Sequence, residues 1–114
     1  MATKANLVID QGTTYSTTLN LTDDNGDALN LNGFVANSQI RKWYTSSVAV
    51  PFAASINADV GTITLSLTSS QTNNLVAGRY VYDVEITEIS TNAISRVVEG
   101  IVTVTPGVTR WQTY

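Results

Sequence analysis

The chain has 114 residues, six basic against nine acidic, a net charge of −3, and neither cysteine nor histidine. That length suits one domain burying roughly two thirds of its unfolded surface without staples; the missing cysteines exclude a disulfide framework and a thiolate metal site, and the acidic balance argues against a nucleic-acid partner, which needs a dense basic face. Charged residues are 13% of the chain, well under the ~25% of typical domains, and the abundance of Thr, Ser and Asn suits a β-protein that lies against other protein.

The opening Met-Ala-Thr-Lys-Ala-Asn-Leu-Val-Ile-Asp has no long apolar stretch before a small-residue cleavage site. No later run approaches the ~20 apolar residues of a membrane span. The expectation is a soluble protein made in a cytosol, with no membrane partner. Leu7 to Asp10 reads as a short extended segment broken by Gln11-Gly12. A cleaner strand follows from Thr14 to Leu21, where Tyr15, Thr17, Leu19 and Leu21 share one face; Leu19 and Leu21 are predicted core. Asp23-Asp24-Asn25-Gly26-Asp27 closes a hairpin-like turn, because Asn-Gly supplies the positive φ angles of a tight turn. Ala28 to Leu31 returns briefly before Asn32-Gly33 turns again.

Asp23, Asn25 and Asp27 at alternate positions look like the first ligands of a calcium loop. Such a loop wants glycine sixth and a bidentate Glu twelfth; those positions hold Ala28 and Phe34. The prediction is a solvated turn and no metal.

Phe34, Ala36, Ser38 and Ile40 form the inward set of the next strand, with Val35, Asn37, Gln39 and Arg41 outward. It is predicted to continue into Lys42-Trp43-Tyr44 at the rim, with Ile40 at the inter-sheet centre. Val48 to Asn57 contains Pro51, which cannot donate a ladder bond, so this segment belongs on an edge. Gly61 to Leu67 has the cleanest period of two, Ile63, Leu65 and Leu67 against Thr62, Thr64 and Ser66. Thr68 to Leu75 breaks that period; Thr68 or Ser69 with Gln71 or Thr72 reads as a cap and one short turn of helix near residues 69–75.

Leu75 to Ile86 carries the strand around which the rest is organised. Tyr80, Tyr82, Val84 and Ile86 alternate with Val81, Asp83 and Glu85, an apolar face against a mostly charged one. The spacing Leu75, Gly78, Tyr80, Tyr82 resembles the corner where a chain enters strand F of an immunoglobulin-like sandwich, with Tyr80 bonding back across the turn and Tyr82 where antibodies place a disulfide cysteine. Ser90 to Ala93 turns. Ile94 to Thr105 is the last strand, with Val98, Gly100, Val102 and Val104 on one face, ended by Pro106-Gly107. Seven or eight short strands with turn signals between them predict an all-β, immunoglobulin-like antiparallel sandwich. It is one domain over residues 1–110 with a tail at 111–114.

The order Asp-Gln-Gly-Thr-Thr-Tyr (10–15), Asn-Leu-Asn-Gly-Phe (30–34), Gln-Ile-Arg-Lys (39–42), Gly-Thr-Ile-Thr-Leu-Ser-Leu (61–67), Ala-Gly-Arg-Tyr-Val-Tyr-Asp-Val-Glu-Ile (77–86) and Val-Glu-Gly-Ile-Val-Thr-Val-Thr-Pro-Gly-Val-Thr-Arg (98–110) resembles small virion proteins of tailed bacteriophages. It is similar to the immunoglobulin-like anchoring domain of phage upper-baseplate and tail-fibre proteins. Asp10-Gln11-Gly12, Ile40-Arg41-Lys42 and Gly78 to Asp83 go beyond generic sandwich patterning. The resemblance implies a structural component of the virion in tail, baseplate, neck or fibre attachment, made in the host bacterial cytoplasm. Its implied partners are other virion proteins, in a homo-oligomer or multi-copy symmetric assembly. A capsid decoration protein and a carbohydrate- or receptor-binding sandwich are the alternatives; Trp43 and Tyr44 are candidates for a glycan platform.

Without His or Cys, a nucleophilic site needs Ser or Thr with a Lys or carboxylate base, and neither Gly-x-Ser-x-Gly nor Ser-x-x-Lys occurs. Asp83 and Glu85 lie about 7 Å apart on one strand face, within range of a glycosidase pair, but such exposed carboxylates are ordinarily solvated or paired with Arg. The expectation is no enzyme and no cofactor. Arg41, Asp83, Glu85 and Glu99 come from strands that neighbour one another in such a sandwich. They are expected to form either a cross-strand ion ladder at the surface or a face that docks on another subunit. Arg110, Trp111 and Tyr114, beyond the Pro-Gly stop, either anchor on a neighbouring subunit or fold back on their own domain.

Overall fold

In a computed structural model of the chain, residues 3–23, 25–43, 45–46 and 49–108 are described. Among the described residues nine strands and one short helix succeed one another: β1 (Thr3–Lys4), β2 (Leu7–Asp10), β3 (Tyr15–Asn20), β4 (Phe34–Arg41), β5 (Ala49–Pro51), β6 (Ala53–Asn57), β7 (Thr62–Leu67), α1 (Ser69–Asn73), β8 (Gly78–Glu88) and β9 (Ile94–Thr105). They form two sheets that pack as a sandwich. The larger runs β1-β9-β8-β4-β5, with β2 also on β9, and the smaller runs β3-β7-β6. Most pairings are antiparallel, but β1 and β2 both lie parallel to β9.

Alternation places the core. Ile63, Leu65 and Leu67 from β7 face Ile40, Tyr82, Val84, Ile86, Val98, Val102 and Val104 of the larger sheet, all buried. Leu21 is buried as expected, while Leu19 packs on the core's margin. Ser38, also buried, satisfies its hydroxyl on the Asp83 carbonyl at 2.6 Å.

Three expectations are corrected. The single edge segment expected over Val48–Asn57 is, from Ala49 on, two edge strands: β5 pairs with β4 on the edge of the larger sheet, with Pro51 where its missing donor costs nothing, and β6 pairs with β7 at the edge of the smaller. The switch falls at Phe52, whose ring is buried between Tyr15 and Tyr82, 6.4 Å and 6.1 Å away between centroids. The strand β4 stops at Arg41, because Ser46 N–H donates to Trp43 O and closes a turn there. Ala28–Leu31 forms no strand; Ala28 makes one bridge to Thr22, and Leu31 is buried. Gly61 permits that packing, since a Cβ there would sit 2.7 Å from the Leu29 carbonyl oxygen.

The helix and corner follow the local signals. Thr68 accepts from Gln71 N–H and donates its own N–H to the Gln71 side chain, a complete capping box. Tyr80 Oη donates to Val76 O at 2.6 Å, and Leu75 is buried beneath. Lys42 Nζ donates to Arg79 O and lies 4.8 Å over the Tyr80 ring.

Tyr82 ties the first strands to this frame. Its hydroxyl donates to Ala5 O at 2.5 Å, between β1 and β2. There the backbone presses on Gly100, where an added Cβ would lie 2.2 Å from Ala5 O, and the Asn6 side chain accepts from Ile101 N–H in place of a ladder carbonyl. Burial, with the Tyr15 phenol adding to it, pushes the Tyr82 hydroxyl up from 10.0 to about 12.

Candidate functional site

The outer face of the larger sheet gathers the charged residues singled out in sequence. Register lines up Gln39, Asp83 and Glu99 across β4, β8 and β9, with Lys4 of β1 beyond Glu99. The next row toward the β8 C-terminus holds Asn37, Glu85 and Arg96; the row on the other side holds Arg41, Val81 and Ile101. Together Gln39, Arg41, Asp83, Glu85, Arg96 and Glu99 line an open depression of about 390 Å³.

Asp83, Glu85, Glu99 and Arg41 therefore share one surface, but the expected ladder does not run through Arg41. Its guanidinium donates to Gln39 Oε1 at 2.8 Å and to Ser46 O, so it is drawn along its own strand and into the following turn. The ion pair on this face joins Arg96 Nε to Asp83 Oδ2 at 3.1 Å. Asp83 and Glu99 are directly opposed, an arrangement of like charges that costs stability and that Arg96 offsets.

Strict alternation puts Arg96 on the core side with Val98, whereas the structure turns it outward opposite Glu85. The register shifts between Val84 and Glu85, from Val84↔Val98 to Glu85↔Arg96, leaving Val97 as the extra residue of a bulge. A bulge re-aims the side chains that precede it. The signal in sequence is the pair Val97-Val98, two apolar residues in succession where alternation demands one.

Apolar residues border these charges on the same face: Ile101 is 41% exposed, Val35 45%, Val8 62% and Ile94 64%. The outer face of the smaller sheet has another chemistry. Ser16, Thr18 and Asn20 of β3, Thr62, Thr64 and Ser66 of β7, and Ser55 and Asn57 of β6 cover it with hydroxyls and amides around the methyl of Ala53, and Thr18 and Thr64 hydroxyls meet at 3.0 Å.

The remaining candidates fall elsewhere. In the calcium-like segment, the Asp23 carboxylate accepts from the N–H groups of Asn25 and Asp27, at 2.9 Å and 3.1 Å, and so serves the turn itself. Trp43 is 58% exposed after β4. Its proposed companion Tyr44, and Arg110, Trp111 and Tyr114, lie outside the described residues. Asp10-Gln11-Gly12 proves to be a clasp. Gln11 Nε2 donates to Leu75 O at 2.8 Å, Gln11 Oε1 accepts from Gly107 N–H at 3.2 Å, and Asp10 accepts from the Thr105 hydroxyl at 2.8 Å.

No protein-family model and no curated protein matches the chain.

Proposed function

We propose that this chain is a structural component of a tailed-bacteriophage virion, in the tail, baseplate, neck or fibre attachment, that works through protein–protein contacts and carries out no reaction. The observation that supports contact as its mode of action is the outer face of the larger sheet. Val8, Val35, Ile94 and Ile101 stand exposed there beside Arg41, Asp83, Glu85, Arg96 and Glu99. Exposed apolar area bordered by charge is what an interface core and rim require. Placement in a phage particle rests on the resemblance of segments 10–15, 30–34, 39–42, 61–67, 77–86 and 98–110 to virion proteins with an immunoglobulin-like anchoring domain.

The test is whether the protein co-purifies with intact particles and can be located in a particle reconstruction. Expected is a fixed copy number with the larger sheet's outer face against a neighbouring subunit. Particles free of the protein would overturn the reading. A glycan-binding sandwich is supported by one observation, the exposed Trp43; a glycan array with the purified protein separates the two.

A further inference from the structure

At one edge of the smaller sheet stands β3, a strand that no other element among the described residues pairs with on its outer side. Both first strands pair with β9, so β3 keeps β7 as its neighbour and faces solvent along its other side. Leu21 N–H donates to Gly61 O, on the β7 side. Counting back by two, Leu19, Thr17 and Tyr15 also direct their N–H and C=O groups to β7, while Ser16, Thr18 and Asn20 direct theirs outward. These three residues are exposed. The turn after β3 leaves that side open, since Leu29 N–H reaches Leu21 O on the side of Gly61.

Natural proteins blunt such edges with proline, lysine, bulges or very short strands. Two of the other edges are blunted: β5 has three residues including Pro51, and the β1–β2 edge is interrupted at Ala5 and Asn6 and carries Lys4; β6 is one residue shorter than β3 and is tied down where it starts, Phe52 N–H being held by Ser38 O of the other sheet. The strand β3 has six residues with no proline and no charge.

We infer that β3 is a pairing edge for a second copy of this chain, joined antiparallel about a two-fold axis at Thr18. Thr18 then meets Thr18 of the other copy, and Ser16 meets Asn20. Each of these three pairs exchanges two backbone hydrogen bonds, making one continuous six-stranded sheet from two three-stranded ones. Charge selects the copy as occupant. No strand of the smaller sheet carries Asp, Glu, Lys or Arg, so two chains of net charge −3 meet there without opposing carboxylates. The outer face of the larger sheet, by contrast, carries Asp83, Glu85 and Glu99, whose charges a self-contact there would have to pair with Lys4, Arg41 and Arg96.

One strand pair covers less than the ~1,200 Å² of a standard interface, so association is weak and grows with concentration. Sedimentation velocity of the purified chain should show monomer passing to dimer between about 10 μM and 1 mM. Thr18→Pro deletes an outward N–H that the fold does not use, and should raise the dimer dissociation constant at least about tenfold while leaving circular dichroism unchanged. If that variant fails to fold, Thr18→Lys should give the same loss by charge. Because the chain has no cysteine, register can be read directly: Thr18→Cys should form a covalent dimer under mild oxidation, and Ser16→Cys should do so only when mixed with Asn20→Cys. A wild-type chain that stays monomeric throughout that range, a dimer indifferent to both Thr18 substitutions, or Ser16→Cys linking to itself would overturn the inference. None of these results bears on the particle reading, which a monomer also satisfies.

Discussion

Gly100 shows how a residue with no side chain fixes the route of a distant segment. The Ala5 carbonyl comes so close to β9 that a methyl group would overlap it, so Gly100→Ala should cost about 3 kcal/mol, the upper end for overpacking, as read by urea denaturation. Tyr82 acts on the same carbonyl, and its buried hydroxyl makes stability depend on alkaline pH. The folded value lies above the unfolded one, so this contribution is intact below pH 10 and is lost as pH rises from 10.0 through about 12. The loss is at most on the order of 3 kcal/mol at ~1.4 kcal/mol per unit. Absorbance titration should show a late tyrosine ionisation that Tyr82→Phe removes. Arg96 is the contrary case. Its pair with Asp83 is half exposed, so Arg96→Ala should change stability by no more than about 1 kcal/mol, and any larger effect should appear in contacts with other subunits.

At the level of elements, Phe52 links the sheets by standing where the chain passes from one to the other. Phe52→Ala removes the ring between Tyr15 and Tyr82 and should destabilise by about 3–5 kcal/mol, whereas Thr68→Ala, which opens the capping box of α1, should cost about 1 kcal/mol; thermal unfolding of both variants gives the comparison. Elements governed by local chemistry could be read from sequence. Ile94–Thr105 has the bounds that its turn signals give, Phe34 opens β4 as alternation predicts although the strand stops at Arg41, and Thr68 with Gln71 announces the helix. What escaped was decided by tertiary contact. Alternation runs through Val48–Asn57 without revealing that Phe52 changes sheets, and nothing in Leu7–Asp10 names β9 as its parallel partner. For the candidate site, Asp83, Glu85 and Glu99 were placed on one face correctly because a period of two holds up to Val98. Arg96 was not, because the bulge ends that period.

For the molecule as a whole, the two outer faces divide the work of contact: a charged and apolar one on the larger sheet and a neutral hydroxyl and amide one on the smaller. Removing residues 108–114, which include Arg110, Trp111 and Tyr114, distinguishes a tail that docks on neighbours from one that serves its own domain. A docking tail predicts normal unfolding with reduced incorporation into particles, and unchanged incorporation with an intact fold ends that idea. The parallel pairing of the first strands with the last also has a mechanical consequence. Thr3 lies beside Val98 and Asp10 beside Thr105, so the points where tension would enter along β1 and leave along β9 are about 23 Å apart by strand rise. A pull between them loads the ladder in shear, and its rungs must give way together instead of unzipping singly, so stretching in a force spectrometer should reveal a high rupture force that Gly100→Ala lowers.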